Sequence, residues 1–346
     1  ERYWVGARGT EWVFSLAERV LIAGRAVWFY AGKLAWPEPL MFIYPRWHLD
    51  AADWRQYLPP ALAATVILAL WLRRKRLGPG PVTGVLFFVG TLAPALGFVS
   101  YYPMLFSFVA DHFQYLASLG LLTLAATVLA RGVTAARPAM RWTTACGTAV
   151  VLLALGAATW QRAGVFHDAV TLHEDTLRKN PDCWMALGNL GGIQASRENF
   201  AEAVRLLERA TFLYPAASGQ WYELGRARMG CGDAAGAIEA FGQAVTREPG
   251  YTMAWRERGM VWVRLGQYDR AAADLSMVVR LNPEYRDAWF FRSVCRLRTG
   301  DIPGAREDLN RYVALGGRPD PRFVDELARA PDGGNRPAET AASGRR

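Results

Sequence analysis

The sequence predicts an all-α chain in two parts: a polytopic bundle of about five membrane helices, then a solenoid of helical hairpins. Three observations predict this. Pro181, Pro215, Pro249 and Pro283 stand 34 residues apart, a period that marks stacked helical units, each too small to bury its own apolar face. Residues before about 163 show no such period and hold long apolar stretches instead. Tryptophans and basic turns flank those stretches, as they do at membrane interfaces.

The first part, 1–163, is read helix by helix. Phe14–Trp36 is apolar but carries Glu18, Arg19, Arg25 and Lys33, and predicts a helix at about 12–36. Tyr57–Leu72 is apolar after Pro59 and Pro60 and predicts 56–73. Val82–Phe98, interrupted by Pro94, predicts 82–100, and Phe113–Ala130 predicts 108–130. Trp142–Trp160 is uncharged, ends in tryptophan on both sides and predicts 141–162, enough to cross a hydrocarbon core of about 30 Å. Each shorter stretch also fits a buried core helix; the five together favour the membrane.

Charge orients the bundle. Arg73-Arg74-Lys75-Arg76 lies between the second and third helices, and Arg131, Arg137 and Arg141 between the fourth and fifth. Both turns fall on one side if the helices alternate, and positive turns stay cytoplasmic. The expectation is a multi-pass protein of the bacterial inner membrane, with the bilayer as partner and the repeats on the periplasmic side. The chain starts at Glu1 without methionine, so a fragment or processed chain with upstream helices missing is expected.

The second part, 164–317, repeats position by position. Ala203, Ala237, Ala271 and Ala305 share one phase; Trp221, Trp255 and Trp289 share another, with Leu187. Gly191, Gly225, Gly259 and Ser293 share a third, and Phe200 and Tyr268 a fourth. Small residues let two helices of a hairpin approach, the aromatic fills the gap beside them, and proline ends the second helix. This pattern resembles the tetratricopeptide repeat. A half-repeat at 166–183 precedes four repeats, and the last has Gly317 at the proline phase. Residues 318–330 predict a short closing helix, and the tail after 331, rich in Pro, Gly, Ala and Arg, predicts disorder.

The net charge of +9 resides partly in the basic turns. It does not imply nucleic acid, because no basic patch interleaved with exposed aromatics accompanies it. Cys146, Cys183, Cys231 and Cys295 fall at unrelated phases, with no zinc-type spacing, and predict buried free thiols and no metal site.

Ionisable residues inside apolar segments are the site candidates. Asp111 and His112 precede the fourth helix; Asp111 fits either a helix cap or a group that holds a phosphate-linked lipid. Glu18, Arg25 and Lys33 recur at about seven residues and so share one helix face, a lipid-headgroup contact or a structural ion-pair stripe. Arg46 offers another cation in the 37–55 loop, where Trp36, Trp47 and Trp54 read as interface anchors before sugar platforms. On the repeats, the first-helix positions Tyr222, Arg226, Arg256, Met260, Arg264, Phe290 and Arg298 line one face. Four arginines there point to an acidic ligand, or to a solvated face with none.

The order of membrane helices, Asp111–Ser118 (DHFQYLAS), basic turn, last helix and repeats resembles the C-terminal portion of transmembrane-and-tetratricopeptide-repeat O-mannosyltransferases of the GT-C fold. That family has an Asp/Glu-Arg-x-x-Tyr-Leu-Pro-Ser segment; here His112 replaces the arginine and Ala117 the proline. The resemblance implies transfer of a mannose-like sugar from a polyprenyl-phosphate donor to a protein acceptor on the outer face, with a divalent cation as a conceivable cofactor. Glu18, Arg25, Arg46, Asp111, His112 and Tyr115 would then surround the donor headgroup. The family's acidic first loop has no counterpart in this chain, so no catalytic residue is assigned. The alternatives are a membrane-anchored repeat scaffold for a periplasmic complex, without catalysis of its own, and an oligosaccharide polymerase or ligase.

Overall fold

The computed structural model describes residues 14–98, 102–135 and 138–331, all of whose regular elements are helical. The expected disorder of the tail and the contribution of Arg137 to its basic turn lie outside the described residues. The chain divides after Ala186 into two compact units.

In the first unit, α1 (Leu16–Ala35) begins with a capping box in which Ser15 and Glu18 satisfy each other's backbone amides. It buries Leu21, Ile22, Ala23, Gly24, Ala26 and Tyr30. Then come α2 (Leu58–Leu72), the short basic α3 (Arg74–Leu77), α4 (Gly80–Leu92), α5 (Tyr115–Ala135), α6 (Pro138–Gly164) and α7 (Ala169–Lys179). The partners of α1 show how it lies. Ile22 packs on Met104 and Phe108, Arg19 donates to the Gly97 carbonyl at 2.6 Å, Trp28 donates to the Pro59 carbonyl at 2.9 Å, and Gly24 abuts Pro60. Tyr30 Oη accepts from the Ala110 amide at 3.1 Å. These partners belong to the start of α2, the segment after α4 and the segment before α5, which is one end of the unit. So α1 lies across that end, where its charges reach polar loops, and does not run alongside the other helices.

α4 and α5 run antiparallel. Phe88 and Leu92 pack with Ala117, while Gly84 faces Leu124. A Cβ on Gly120 would stand 2.4 Å from the Gly84 carbonyl oxygen, so the two backbones touch where no side chain intervenes. Close crossings through small residues are how apolar helices associate when burial from water cannot drive them.

Of the five expected spans, two have the length and composition of one. Among the described residues, Asp111–Thr134 and Arg141–Gly164 are long and apolar enough to cross a membrane, and none of the latter's apolar window is buried. The 15 residues of α2 and 13 of α4 rise only about 20–22 Å, short of the roughly 30 Å core. The helix expected to reach residue 100 stops at Leu92 because Pro94 has no amide to continue it; a 3-10 turn follows at Ala93–Ala95. The helix expected from 108 starts at Tyr115, behind a 3-10 turn at Asp111–Gln114.

The second unit is the repeat array. The hairpins are α8 (Trp184–Ser196) with α9 (Phe200–Leu213), α10 (Ser218–Gly230) with α11 (Ala234–Arg247), α12 (Thr252–Arg264) with α13 (Tyr268–Leu281), and α14 (Arg286–Thr299) with α15 (Ile302–Ala314). The closing helix α16 is Pro321–Arg329, and it seals the array with Phe323 and Leu327. The half-repeat helix begins at Ala169, capped by Asp168.

The small phase sits where paired helices cross. A Cβ on Gly191 would lie 2.6 Å from Leu207, and one on Gly225 2.5 Å from the Phe241 ring; Ser293 instead donates to the Ala305 carbonyl at 2.7 Å. The Trp and Pro phases prove to be one device. Trp221, Trp255 and Trp289 donate their indole N–H to the carbonyls of Pro215, Pro249 and Pro283 at 2.8, 2.9 and 3.0 Å, pinning each turn between repeats. The turns inside hairpins require a left-handed residue: Glu198, Gly232, Gly266 and Gly300, again 34 apart, have φ of 61°, 81°, 70° and 87°.

Glutamate is the strained member of that set. Glu198→Gly is expected to raise the unfolding midpoint by a few °C, about 1 kcal/mol, in thermal denaturation followed by circular dichroism. Gly225→Val is expected to cost about 2 kcal/mol or more, since the buried Phe241 ring cannot move aside; an unchanged midpoint would contradict the crossing.

Candidate functional site

Two surfaces carry the candidate residues. The first is a polar network in the first unit. Tyr44 donates to Asp111 Oδ1 at 2.7 Å. Lys33 donates to the Pro39 carbonyl at 2.5 Å and lies 5.5 Å from the centre of the Tyr44 ring. Lys179, on the last turn of α7, donates to the Leu40 carbonyl at 2.7 Å and to Asp175 Oδ2 at 2.8 Å. Arg162, at the end of α6, pairs with the same Asp175, whose side chain is 7 % exposed. The ends of α1 and α6, the loop at 37–44, the start of α5 and the helix α7 are therefore tied together by charge-assisted bonds.

The environment sets the protonation states. Burial pushes the Asp175 carboxyl up, but the bonds from Lys179 and Arg162 outweigh it and leave its pKa below the ordinary value. Burial lowers His173, which keeps it neutral, and burial together with Asp111 raises the Tyr44 phenol. Arg162 Nη2, His173 Nδ1 and Gln114 Oε1 are buried without a hydrogen-bond partner.

The six headgroup candidates do not converge. Asp111 is bonded to Tyr44 and caps no helix; the residue at the N-cap is Ala110, which has no side-chain cap. Glu18 is spent on the α1 capping box, 15 residues from Lys33 and so about 22 Å along the helix. Arg25 donates to the His48 carbonyl at 3.2 Å and borders an apolar groove of about 870 Å³ between α1 and α2, lined by Trp28, Trp47 and Leu62. Arg46 stacks on Phe108 and Phe14. His112 is exposed beside Phe113, and Tyr115 is 71 % exposed. Trp36 and Trp54 are exposed, whereas Trp47 packs against Phe29 and Phe108. The cysteines are free as expected, but only Cys183 and Cys295 are buried; Cys146 and Cys231 are exposed. Among the described residues no cluster could hold a metal ion.

The second surface is the first-helix face of the repeats. Arg226 pairs with Glu223 at 3.1 Å, Arg256 with Glu257 at 2.8 Å, and Arg298 with Glu326 of α16. Three of the four arginines in the expected carboxylate-seeking row are thus neutralised by a glutamate within reach, on the same helix for Arg226 and Arg256 and on the closing helix for Arg298. Arg264 is exposed. Tyr222 stacks with Tyr251 and Phe241, at ring separations of 5.1 and 5.8 Å, while Met260 is half-buried and Met253 exposed. Phe290 is closed over by Tyr312 and Phe323, 5.1 and 5.3 Å away. What the face offers is an aromatic and methionine surface edged by paired charges.

Two buried ion pairs went unread in the sequence. Arg258 forks onto Asp274 and Arg292 onto Asp308. The signal was present: each arginine takes the phase of Leu190 and Leu224, and each aspartate, 16 residues on, that of Leu206 and Ala240. A paired charge has replaced an apolar contact in the last two repeats.

Asp175→Asn is expected to cost about 1–3 kcal/mol near neutral pH by stranding Arg162. Because the folded carboxyl is depressed, its contribution is complete above the unfolded value of about 3.9 and fades as pH falls through the lower folded value. Thermal melts should show the wild-type and variant midpoints converging only in that acid window.

The tetratricopeptide repeat family model matches residues 161–218, 222–280 and 262–321. Solved structures similar to the chain include that of MamA, at 19 % identity and TM-score 0.42, covering 45 % of this chain and 91 % of that one. Another is MamA 41-end from Desulfovibrio magneticus RS-1, at 17 % identity and TM-score 0.40, covering 47 % and 93 %. A third is YrrB, described as a TPR protein with an unusual peptide-binding site, at 19 % identity and TM-score 0.41, covering 51 % and 87 %. No curated protein matches the chain, and none of these comparisons supports the O-mannosyltransferase resemblance. Residues 161–218 and 222–321 form a run of tetratricopeptide repeats.

Proposed function

We propose that the chain is a membrane-anchored scaffold whose tetratricopeptide repeats hold a protein partner. The observation that carries the protein-binding part is the first-helix face: Arg226, Arg256 and Arg298 are already paired, and its tyrosines and methionines are left to take the apolar side chains of a peptide or helix. Methionine adapts to varied apolar shapes, and aromatic rings supply contact area at small entropic cost. Support for anchoring comes from α6. Its two tryptophans are 77 % and 84 % exposed, the apolar stretch between them is unburied, and its end is locked to α7 through Arg162 and Asp175. A helix so exposed in water would be a large apolar liability. The repeats would then stand on the side opposite the basic turns, which the positive-inside tendency assigns to the periplasm.

A second reading, transfer of a sugar from a polyprenyl-phosphate donor, draws on one observation: Asp111 is half-buried with Tyr44 and close to Lys33, at the end away from the basic turns.

Both parts are testable together. Membranes from the native host should retain the chain through alkaline carbonate washing. A photo-crosslinker placed at Met253 or Met260 should capture a discrete protein partner that one at the exposed Phe212 does not. Partner capture that survives Asp111→Asn supports the scaffold; loss of a glycosylated product in the same variant, with capture intact, would move the assignment to the second reading. Extraction by carbonate would remove the anchor from the proposal.

A further inference from the structure

We infer that the end of the first unit opposite Asp111 is a docking surface for the headgroups of anionic phospholipids. This rests on the membrane-anchored reading and goes beyond it by naming a lipid class.

The sequence keeps acidic residues out of two long intervals. No Asp or Glu occurs between Asp53 and Asp111, nor between Asp111 and Asp168, yet those intervals hold Arg55 and Arg162 and, in two basic turns, Arg73, Arg74, Lys75, Arg76, Arg131, Arg137 and Arg141. The fold gathers the described members of the two turns at one end. The basic turn, with α3, leads directly into α4, and α5 runs antiparallel to α4, with Phe88 near Ala117 and Gly84 near Leu124. The C-terminus of α5, carrying Arg131, therefore returns to the end where α4 begins. Arg141 is at the start of α6, where it donates to the Thr134 carbonyl at 3.1 Å. The acidic residues that follow, Asp111 and Asp175, lie at the other end with Lys33 and Tyr44.

Geometry points to a lipid leaflet as the source of the negative charge. Arg73, Lys75, Arg76 and Arg131 are exposed. Arg74 is held over the Trp71 ring at 4.2 Å and donates to the Trp71 carbonyl at 2.8 Å, so a cation and an interfacial aromatic are fixed side by side. Behind them stands α2, none of whose residues is buried, with Leu58, Leu62, Leu68 and Leu72 all exposed. An exposed apolar helix that ends in tryptophan and four consecutive cations matches acyl chain, interface and headgroup in order. Clustered cations next to a membrane helix draw anionic lipids, and ionic strength screens the attraction.

The test uses the full chain in neutral detergent micelles, titrated with phosphatidylglycerol or phosphatidylcholine, with the thermal unfolding midpoint as readout. Phosphatidylglycerol should raise the midpoint and phosphatidylcholine should not. Substituting Arg73, Arg74, Lys75 and Arg76 together by glutamine should weaken the phosphatidylglycerol response about tenfold or more. Should that variant fold poorly, high salt applied to the wild-type chain must suppress the response instead. Equal responses to the two lipids, or the same response to inorganic phosphate, would overturn the lipid assignment. Release of the chain by alkaline carbonate would instead overturn the anchoring reading on which it rests, so the two failures are told apart.

Discussion

Two helices can lie against each other only as closely as the side chains between them allow, and most of this molecule depends on where those side chains are missing. Gly191 and Gly225 admit Leu207 and Phe241 into contact with the backbone of the facing helix. That approach sets the hairpin, and the hairpin sets the position of the next proline turn, which the tryptophan indoles then lock. The same constraint governs the first unit in another setting. There Gly84 and Gly120 bring the backbones of α4 and α5 together with little polar bonding between them. In the repeats, burial from water rewards the close fit.

Charge is handled differently in the two units. In the repeats, arginines fork onto aspartates across the hairpin, as Arg292 does onto the fully buried Asp308. Such a pair offsets its own desolvation only when geometry is good, and it adds specificity of register more surely than stability. In the first unit cations stand at both ends, and acidic residues are kept from one of them. One end holds a network around Asp175 and Asp111, in which Arg162 Nη2 is left without a partner. The other end is uniformly basic and leaves its charge outward.

The network around Asp175 also gives the scaffold reading a mechanical content. The C-terminus of α6 and the half-repeat helix α7 are joined by Arg162, Asp175 and Lys179, with Lys179 reaching the Leu40 carbonyl as well. These bonds fix α7 against α6 and the 37–44 loop within the first unit.

The repeat architecture was legible in the sequence, because a 34-residue period in Pro, Trp, Gly and Ala reports contacts that recur identically in every unit. The left-handed turn residues and the Arg–Asp pairs obeyed the same period and could have been read from it. The hydrophobic stretches of the first part were legible as helices but not as spans. An apolar run fixes that a helix forms, while Pro94, the charges of α1 and the loop partners of Ile22 and Trp28 decide where it stops and along which direction it lies. Site chemistry was the least legible. Residue type offers an arginine or an aspartate as a candidate, but whether it faces a ligand depends on which neighbour reaches it first. For Arg226, Arg256, Arg298 and Asp111 that neighbour lies within the chain, and only the packed structure could supply it.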